Sequence, residues 1–270
     1  MDNAPRNLVN LILHPHGVVE IVLDRPEALN ALSVEFARQI SSIVQFASEH
    51  SPTVILITSN CEQAFCVGAD LKERQTMTAT ELLDCRPIFL SAYRSLLHVE
   101  APVVAAVNGF AVGGGLELAL TCDLIVADET TVVGLPEVTI GLIPGGGGSQ
   151  LLGRRTGWGT AADLIFTGRR VGFEEAHRLG IVDRVVKGSI RAAALELSTQ
   201  IAGGSPAALR KAKRALREGW NLDLTLGLDL EDALWQNLAS SEDREEGIRA
   251  FVEKRSPVWP SAAVSTMDAR

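Results

Sequence analysis

No apolar run in this 270-residue chain reaches the roughly 18 residues that a membrane-spanning helix requires. Its first residues, Met1-Asp2-Asn3-Ala4-Pro5-Arg6, lack the basic start and long apolar stretch of a secretory signal, so a cytoplasmic protein is expected. Positive charge is in short supply. Lysine and arginine number 25 against 33 aspartates and glutamates, a net charge of −8, which argues against a surface built for nucleic acid or an anionic membrane. Cysteine is scarce too. Cys61, Cys66, Cys85 and Cys122 show no C-x-x-C spacing and have no histidine pair nearby, so neither a disulfide framework nor a zinc site is expected. His14-Pro15-His16 has no third ligand close in sequence and reads as a solvated turn. Cofactor motifs are missing as well. No G-x-G-x-x-G opens a helix after a strand, the Gly145-Gly146-Gly147-Gly148 run lacks the following Lys-Ser/Thr of a phosphate loop, and Ser149 lacks the second glycine of a nucleophile elbow.

What is present is apolar residue in quantity, 46% of the chain, enough for one large domain or a domain with an appendage. Strands are expected over 17–23, 53–58, 102–107, 124–127 and 181–186. A helix capped by Ser33 follows the first strand, with Phe36, Ala37, Ile40, Ile43, Val44 and Ala47 on one face. Thr78-Ala79-Thr80-Glu81 is a capping box opening one helix that buries Leu82, Phe89, Tyr93, Leu96 and Leu97. Further helices are expected over 116–121, 161–166 and 173–179. Beyond the strand over 181–186 the chain reads as helix throughout, with Ser205-Pro206 as the N-cap and first helical residue of one helix. Alternating strands and helices indicate an α/β body, here residues 1–202, followed by a helical region, 203–270, too small for a core of its own. No internal sequence repeat is evident.

Candidate chemistry gathers at two glycine turns. Gly68-Ala69 and Gly113-Gly114-Gly115 each follow an apolar strand, and the second opens a helix whose first N–H groups have no intrahelical acceptor. Two such turns can offer two N–H groups to one oxygen on which negative charge develops. Glu117 lies three residues after Gly114, about one helical turn, among Leu116, Leu118, Ala119 and Leu120. Glu137 lies between Pro136 and Val138 in another apolar stretch. Carboxyls in apolar surroundings have raised pKa values and can act as acid or base near neutrality.

The segments Asp24-Arg25-Pro26-Glu27-Ala28-Leu29-Asn30-Ala31-Leu32, Phe65-Cys66-Val67-Gly68-Ala69-Asp70-Leu71-Lys72-Glu73 and Asn108-Gly109-Phe110-Ala111-Val112-Gly113-Gly114-Gly115-Leu116-Glu117 resemble the enoyl-CoA hydratase (crotonase) family. Gly134-Leu135-Pro136-Glu137, Gly141-Leu142-Ile143-Pro144-Gly145 and the tail Phe251-Val252-Glu253-Lys254-Arg255 extend the resemblance over nearly the whole chain. It implies a spiral of ββα units with a C-terminal helical region that joins trimers, often paired into hexamers. It implies an oxyanion hole formed by the N–H groups of Ala69 and Gly114, and catalytic acids Glu117 and Glu137 holding a water between them. The substrate implied is an acyl-CoA thioester, itself the electron sink, with no metal or separate cofactor. The positions implied for substrate and CoA are Arg25, Ala28, Val67, Ala69, Asp70, Leu71, Lys72, Gly114 and Lys254, the lysine reaching a neighbouring subunit's CoA.

Hydration of a trans-2-enoyl-CoA is the leading expectation, because an isomerase of the family typically needs one acid and this chain has both. Ala69-Asp70-Leu71-Lys72-Glu73-Arg74 also resembles the methylglutaconyl-CoA hydratase branch, which includes an RNA-binding member with a lysine-rich helix matching residues 31–50. Here that stretch holds one base, Arg38, and no lysine, so RNA binding is not expected. The bases over 210–217 read as a solvated helix face. Cys66, Val67 and Val133 depart from residues common at those places in the family, without removing a catalytic group.

Overall fold

The computed structural model describes residues 7–262. Residues 1–6, on which the reading of the N-terminus rests, lie outside the described residues. Two sheets organise the chain. The larger has the order β1-β2-β3-β5-β7-β10, formed by Val9–His14, Val18–Leu23, Val54–Ser59, Val103–Val107, Leu124–Asp128 and Arg184–Val186. It is parallel except where β1 pairs antiparallel with β2, Val9 opposite Leu23. The smaller has the order β4-β6-β8-β9, from Ala64–Cys66, Phe110–Val112, Val132–Gly134 and Arg170–Gly172.

β3 shows why its sequence is an unbroken apolar run. Ile55 and Ile57 face a core shared with helix α1 (Val34–Glu49), while Val54 and Leu56 face a second core against helix α9 (Ile190–Ala202). A parallel strand covered on both faces needs apolar residues at every position. The α1 cap forms as expected, the Phe36 N–H donating to Ser33 Oγ at 3.2 Å. So does the capping box, with the Glu81 N–H donating to Thr78 Oγ1 at 3.2 Å and the Thr78 N–H to Glu81 Oε2 at 2.8 Å. The single helix expected after it is two, α3 (Ala79–Asp84) and α4 (Arg86–Leu97). Pro87 has no N–H to give the Leu83 carbonyl, and the ladder breaks there.

A repeat invisible in sequence organises the body. β3 enters the large sheet, β4 the small one, and α2 (Leu71–Gln75) follows; β5, β6 and α5 (Gly114–Thr121) do the same. β7 and β8 make a third turn, leading into a 3-10 segment Glu137–Ile140 and then α6 (Gly148–Thr156) and α7 (Trp158–Thr167). β6, β9 and α6 are elements that sequence periodicity does not reveal. α8 (Phe173–Arg178) leads to β10, and α9 ends the body.

α10 (Pro206–Gly219) is not the solvated helix expected from its bases. Lys213 is buried and pairs with Asp123 at 2.8 Å, Arg217 pairs with the same carboxylate at 2.7 Å, and Arg210 donates to the carbonyls of Ser51 and Pro52 at 3.0 and 3.2 Å. Lys213 and Arg217 thus bind the helix to the body beside the end of α5, and Arg210 binds it just beyond α1. α11 (Leu224–Ala239) and α12 (Glu242–Glu253) then leave Leu226, Ile248, Phe251 and Val252 exposed, burying Leu234. Among the described residues, no helix is long and apolar enough to cross a membrane.

Candidate active site

Each spiral turn delivers one piece of the site just beyond its small-sheet strand. After β4 the chain passes Gly68, φ +84°, to Ala69. The Leu32 N–H donates to the Gly68 carbonyl at 2.7 Å and the Asp70 N–H to the Leu32 carbonyl at 3.1 Å. The Gly68 carbonyl and the Ala69 N–H share one trans peptide and point in opposite directions, so with the carbonyl bonded to Leu32 the Ala69 N–H points away from Leu32, and Ala69 lines a cavity. Asp70 fixes this loop. It accepts from the N–H groups of Lys72 and Glu73 at 3.1 and 3.2 Å, capping α2, and pairs with Arg25 at 2.8 Å. Burial pushes the Asp70 carboxyl up, but bonds from Arg25 and the Glu73 N–H outweigh it and hold it below its ordinary value. Arg25 also donates to the Ala31 carbonyl at 2.7 Å.

After β6, Gly113 takes φ +55°, donates its N–H to the Gly134 carbonyl at 2.8 Å and caps α5. Gly114 is the first residue of that helix, so its N–H has no intrahelical acceptor. The next glycine permits close contact between the turns. A Cβ on Gly115 would lie 1.8 Å from the Cys66 carbonyl oxygen at the end of β4.

Glu117, 3% exposed, projects from α5 to the start of α6. Its Oε1 accepts from the N–H groups of Gly146 and Gly148 at 2.7 and 2.8 Å. The Gly145–Gly148 run, which lacks the residues of a phosphate loop, thus turns two of its N–H groups to a carboxyl oxygen from within the chain. Burial raises the Glu117 pKa, opposed by the bonds from Gly148 and Gly146. After β8, Pro136 leads to Glu137 at the start of the 3-10 segment. Its Oε2 is buried without a partner. Burial first, and the Glu117 charge in addition, push its pKa up to about 7.

Ala69, Gly114, Glu117 and Glu137 line one cavity of about 730 Å³. Val67 and Leu71 line it too, whereas Arg25, Ala28, Asp70, Lys72 and Lys254 do not. Ala28 ends a 3-10 turn, Pro26–Ala28, and Lys254 is exposed just beyond α12. Arg74, Arg86 and Tyr93 are among the wall residues to which the sequence reading gives no individual role. Arg74 lies with its guanidinium 5.3 Å from the Phe89 ring centroid and its Nε buried without a partner. Arg86 Nη2 donates to the Gly145 carbonyl at 2.7 Å, tying α4 to the glycine loop. Tyr93, on α4, lines the cavity too. A periodic apolar pattern marks Tyr93 as core and says nothing of a cavity beside it, and isolated arginines carry no signal of their own. An N–H turned away from Leu32 at Ala69 and one at the first residue of α5, beside two carboxyls of raised pKa, are groups that can stabilise an oxyanion while protons move on either side of it.

The model of the enoyl-CoA hydratase/isomerase family matches residues 14–262. A Bacillus subtilis protein named as an enoyl-CoA hydratase/isomerase is 42% identical over 241 residues, 88% of this chain and 93% of that relative. The short-chain-enoyl-CoA hydratase of Clostridium acetobutylicum is 36% identical over 251 residues, 92% of this chain and 96% of its own length. The crystal structure of an enoyl-CoA hydratase from Bacillus anthracis superposes with a TM-score of 0.91 at 37% identity, covering 93% of this chain and 98% of that one. The paired-sheet spiral is thus the crotonase fold. The chain belongs to the enoyl-CoA hydratase/isomerase family.

Proposed function

We propose that the protein is an enoyl-CoA hydratase, adding water across the trans-2 double bond of an enoyl-CoA thioester. The observation that carries this reading is the presence of both Glu117 and Glu137 on the cavity that Ala69 and Gly114 also line. In this mechanism the two N–H groups hold the thioester oxygen. Water bonds to the β-carbon, the double-bond electrons move toward that oxygen, and the resulting enolate is stabilised by the two donors. Glu117, whose Oε1 takes two backbone N–H bonds, is the carboxylate that accepts the water proton. Glu137, with a pKa of about 7 and no partner for Oε2, is the acid that protonates the α-carbon. Proton exchange with solvent resets both groups after product leaves.

In this reading CoA passes Ala28 and Lys72, Lys254 reaches it from a neighbouring subunit, and Arg25 contributes through Asp70. The test is hydration of crotonyl-CoA, followed by loss of the enone absorbance, in wild type, Glu117→Gln and Glu137→Gln. Near-normal hydration by both variants would sink the two-acid mechanism. Efficient conversion of a 3-enoyl-CoA that survives in one variant would favour an isomerase. Arg74 supports a second reading, a substrate of the methylglutaconyl-CoA type. Its buried Nε, unpartnered on the cavity wall, suits an acyl group ending in a carboxylate. A preference for such a thioester over crotonyl-CoA, lost in Arg74→Met, would decide for it.

A further inference from the structure

Tyr93 is the only tyrosine in the chain. It is 7% exposed, and its ring stands between two backbone segments from different turns of the spiral. A Cβ built on Gly114 would meet the Tyr93 hydroxyl oxygen at 2.5 Å. One built on Gly146 would meet ring atoms Cε2 and Cζ at 2.5 Å each. Gly146 is not among the positive-φ glycines, so its backbone does not demand glycine, and the three atoms nearest to a Cβ there all belong to the Tyr93 ring. Both segments matter chemically. Gly114 carries an N–H with no intrahelical acceptor, and the Gly146 N–H holds Glu117 Oε1 at 2.7 Å. The phenol stays neutral, since burial first and then the Glu117 charge raise its pKa well above the ordinary value.

We infer that Tyr93 is a positioning residue of the active site: its side chain is the spacer that sets Gly114, the oxyanion donor, against the glycine loop that orients Glu117. The role rests on the hydratase reading for its kinetic consequence, but the spacing itself does not. Interiors are close-packed, so removing a spacer lets both segments shift. A misplacement of about 1 Å at a catalytic centre costs on the order of 100-fold in rate.

Kinetics and stability test this together. Tyr93→Ala is expected to lower kcat for crotonyl-CoA by on the order of 100-fold, with KM within about threefold of wild type. Tyr93→Phe keeps the ring against Gly146 and should recover kcat to within about tenfold of wild type. A folded Tyr93→Ala enzyme with wild-type kcat would overturn the proposal. So would Tyr93→Phe falling as far as Tyr93→Ala, because the hydroxyl would then act on the substrate directly. The second measurement needs no turnover. Gly146→Ala should lower the denaturation midpoint in the wild-type background and cost little in the Tyr93→Ala background, where its methyl enters the vacated space. Equal shifts in both backgrounds would refute the contact. If Tyr93→Ala does not fold, Tyr93→Leu closes the same cycle. Wild type inactive on crotonyl-CoA together with a coupled cycle would discard the hydratase reading while keeping the spacer.

Discussion

The two glutamates are carboxyls raised by the same force and then separated by their partners. Burial leads in both, but Glu117 takes two backbone N–H bonds while Glu137 Oε2 has none. Such a pair divides into base and acid. Glu117→Gln and Glu137→Gln should each lower kcat by roughly 10²–10⁴-fold, measured with crotonyl-CoA. The wild-type pH–rate profile should be bell-shaped, its alkaline limb falling near pH 7 as Glu137 loses the proton it must donate. Stability follows the same titration. The folded value, about 7, lies above the ordinary 4.5, so Glu137 favours the fold most below pH 4.5 and that contribution is lost as pH rises toward 7. Glu137→Gln should therefore be slower yet more stable than wild type above pH 8, by about 1 kcal/mol after allowing for the group's partial exposure. Urea denaturation at pH 5 and pH 8.5 checks it; equal stability of the two proteins at both values would contradict the assignment. Both acids were legible because carboxyls stand out in apolar sequence. Their different hydrogen bonding was not, since Glu117 draws its donors from residues 29 and 31 positions away.

At the scale of elements, sites follow strands of three residues. β4, β6 and β8 each end one residue or a few before a site group, so three turns of one spiral converge on one cavity. The long buried strands and α1 could be read from apolar runs and helical spacing. β6 and β9 are too short to show a period. α6 hides for another reason: its N-cap is Gly147, with no side-chain cap, and the carboxyl at its start comes from Glu117. Local patterns cannot register a cap supplied from a distant helix. The junction between turns is most exposed to damage at Gly115. Gly115→Ala places a methyl 1.8 Å from the Cys66 carbonyl, backbone against which nothing can rotate away. The melting temperature should fall by roughly 5–10 °C, the effect of about 2–3 kcal/mol on a chain of this size, and hydration should fall in the protein that remains folded. Thermal denaturation by circular dichroism checks it, and an unchanged midpoint would mean that α5 and β4 are not held together as closely as their glycine contact requires.

For the molecule as a whole, the unfinished part is the C-terminal face. α10 is tied to the body through Asp123, but Trp220, Trp235 and Phe251 stand 71%, 66% and 85% exposed in the single chain. Large apolar side chains left at a surface are the kind that contact with another subunit would cover. Lys254 stands on the same tail, held beyond α12 by the pairing of Arg255 with Glu246 at 2.6 Å, and it does not line its own chain's cavity. The trimer or hexamer that the family resemblance implies would cover the apolar residues and give Lys254 a neighbouring site to serve. Wild type should then sediment at three or six times its 28.9 kDa mass. Phe251→Glu combined with Trp235→Glu should shift it toward the monomer, because burying two carboxylates at an interface costs far more than the rings contribute. Lys254→Ala should leave the assembly intact and raise KM for crotonyl-CoA several-fold, with less effect on a crotonyl thioester truncated before the CoA phosphates. Sedimentation velocity and parallel kinetics on the two thioesters check this; a fully active monomer, or equal KM changes on both substrates, would remove the neighbouring subunit from the site.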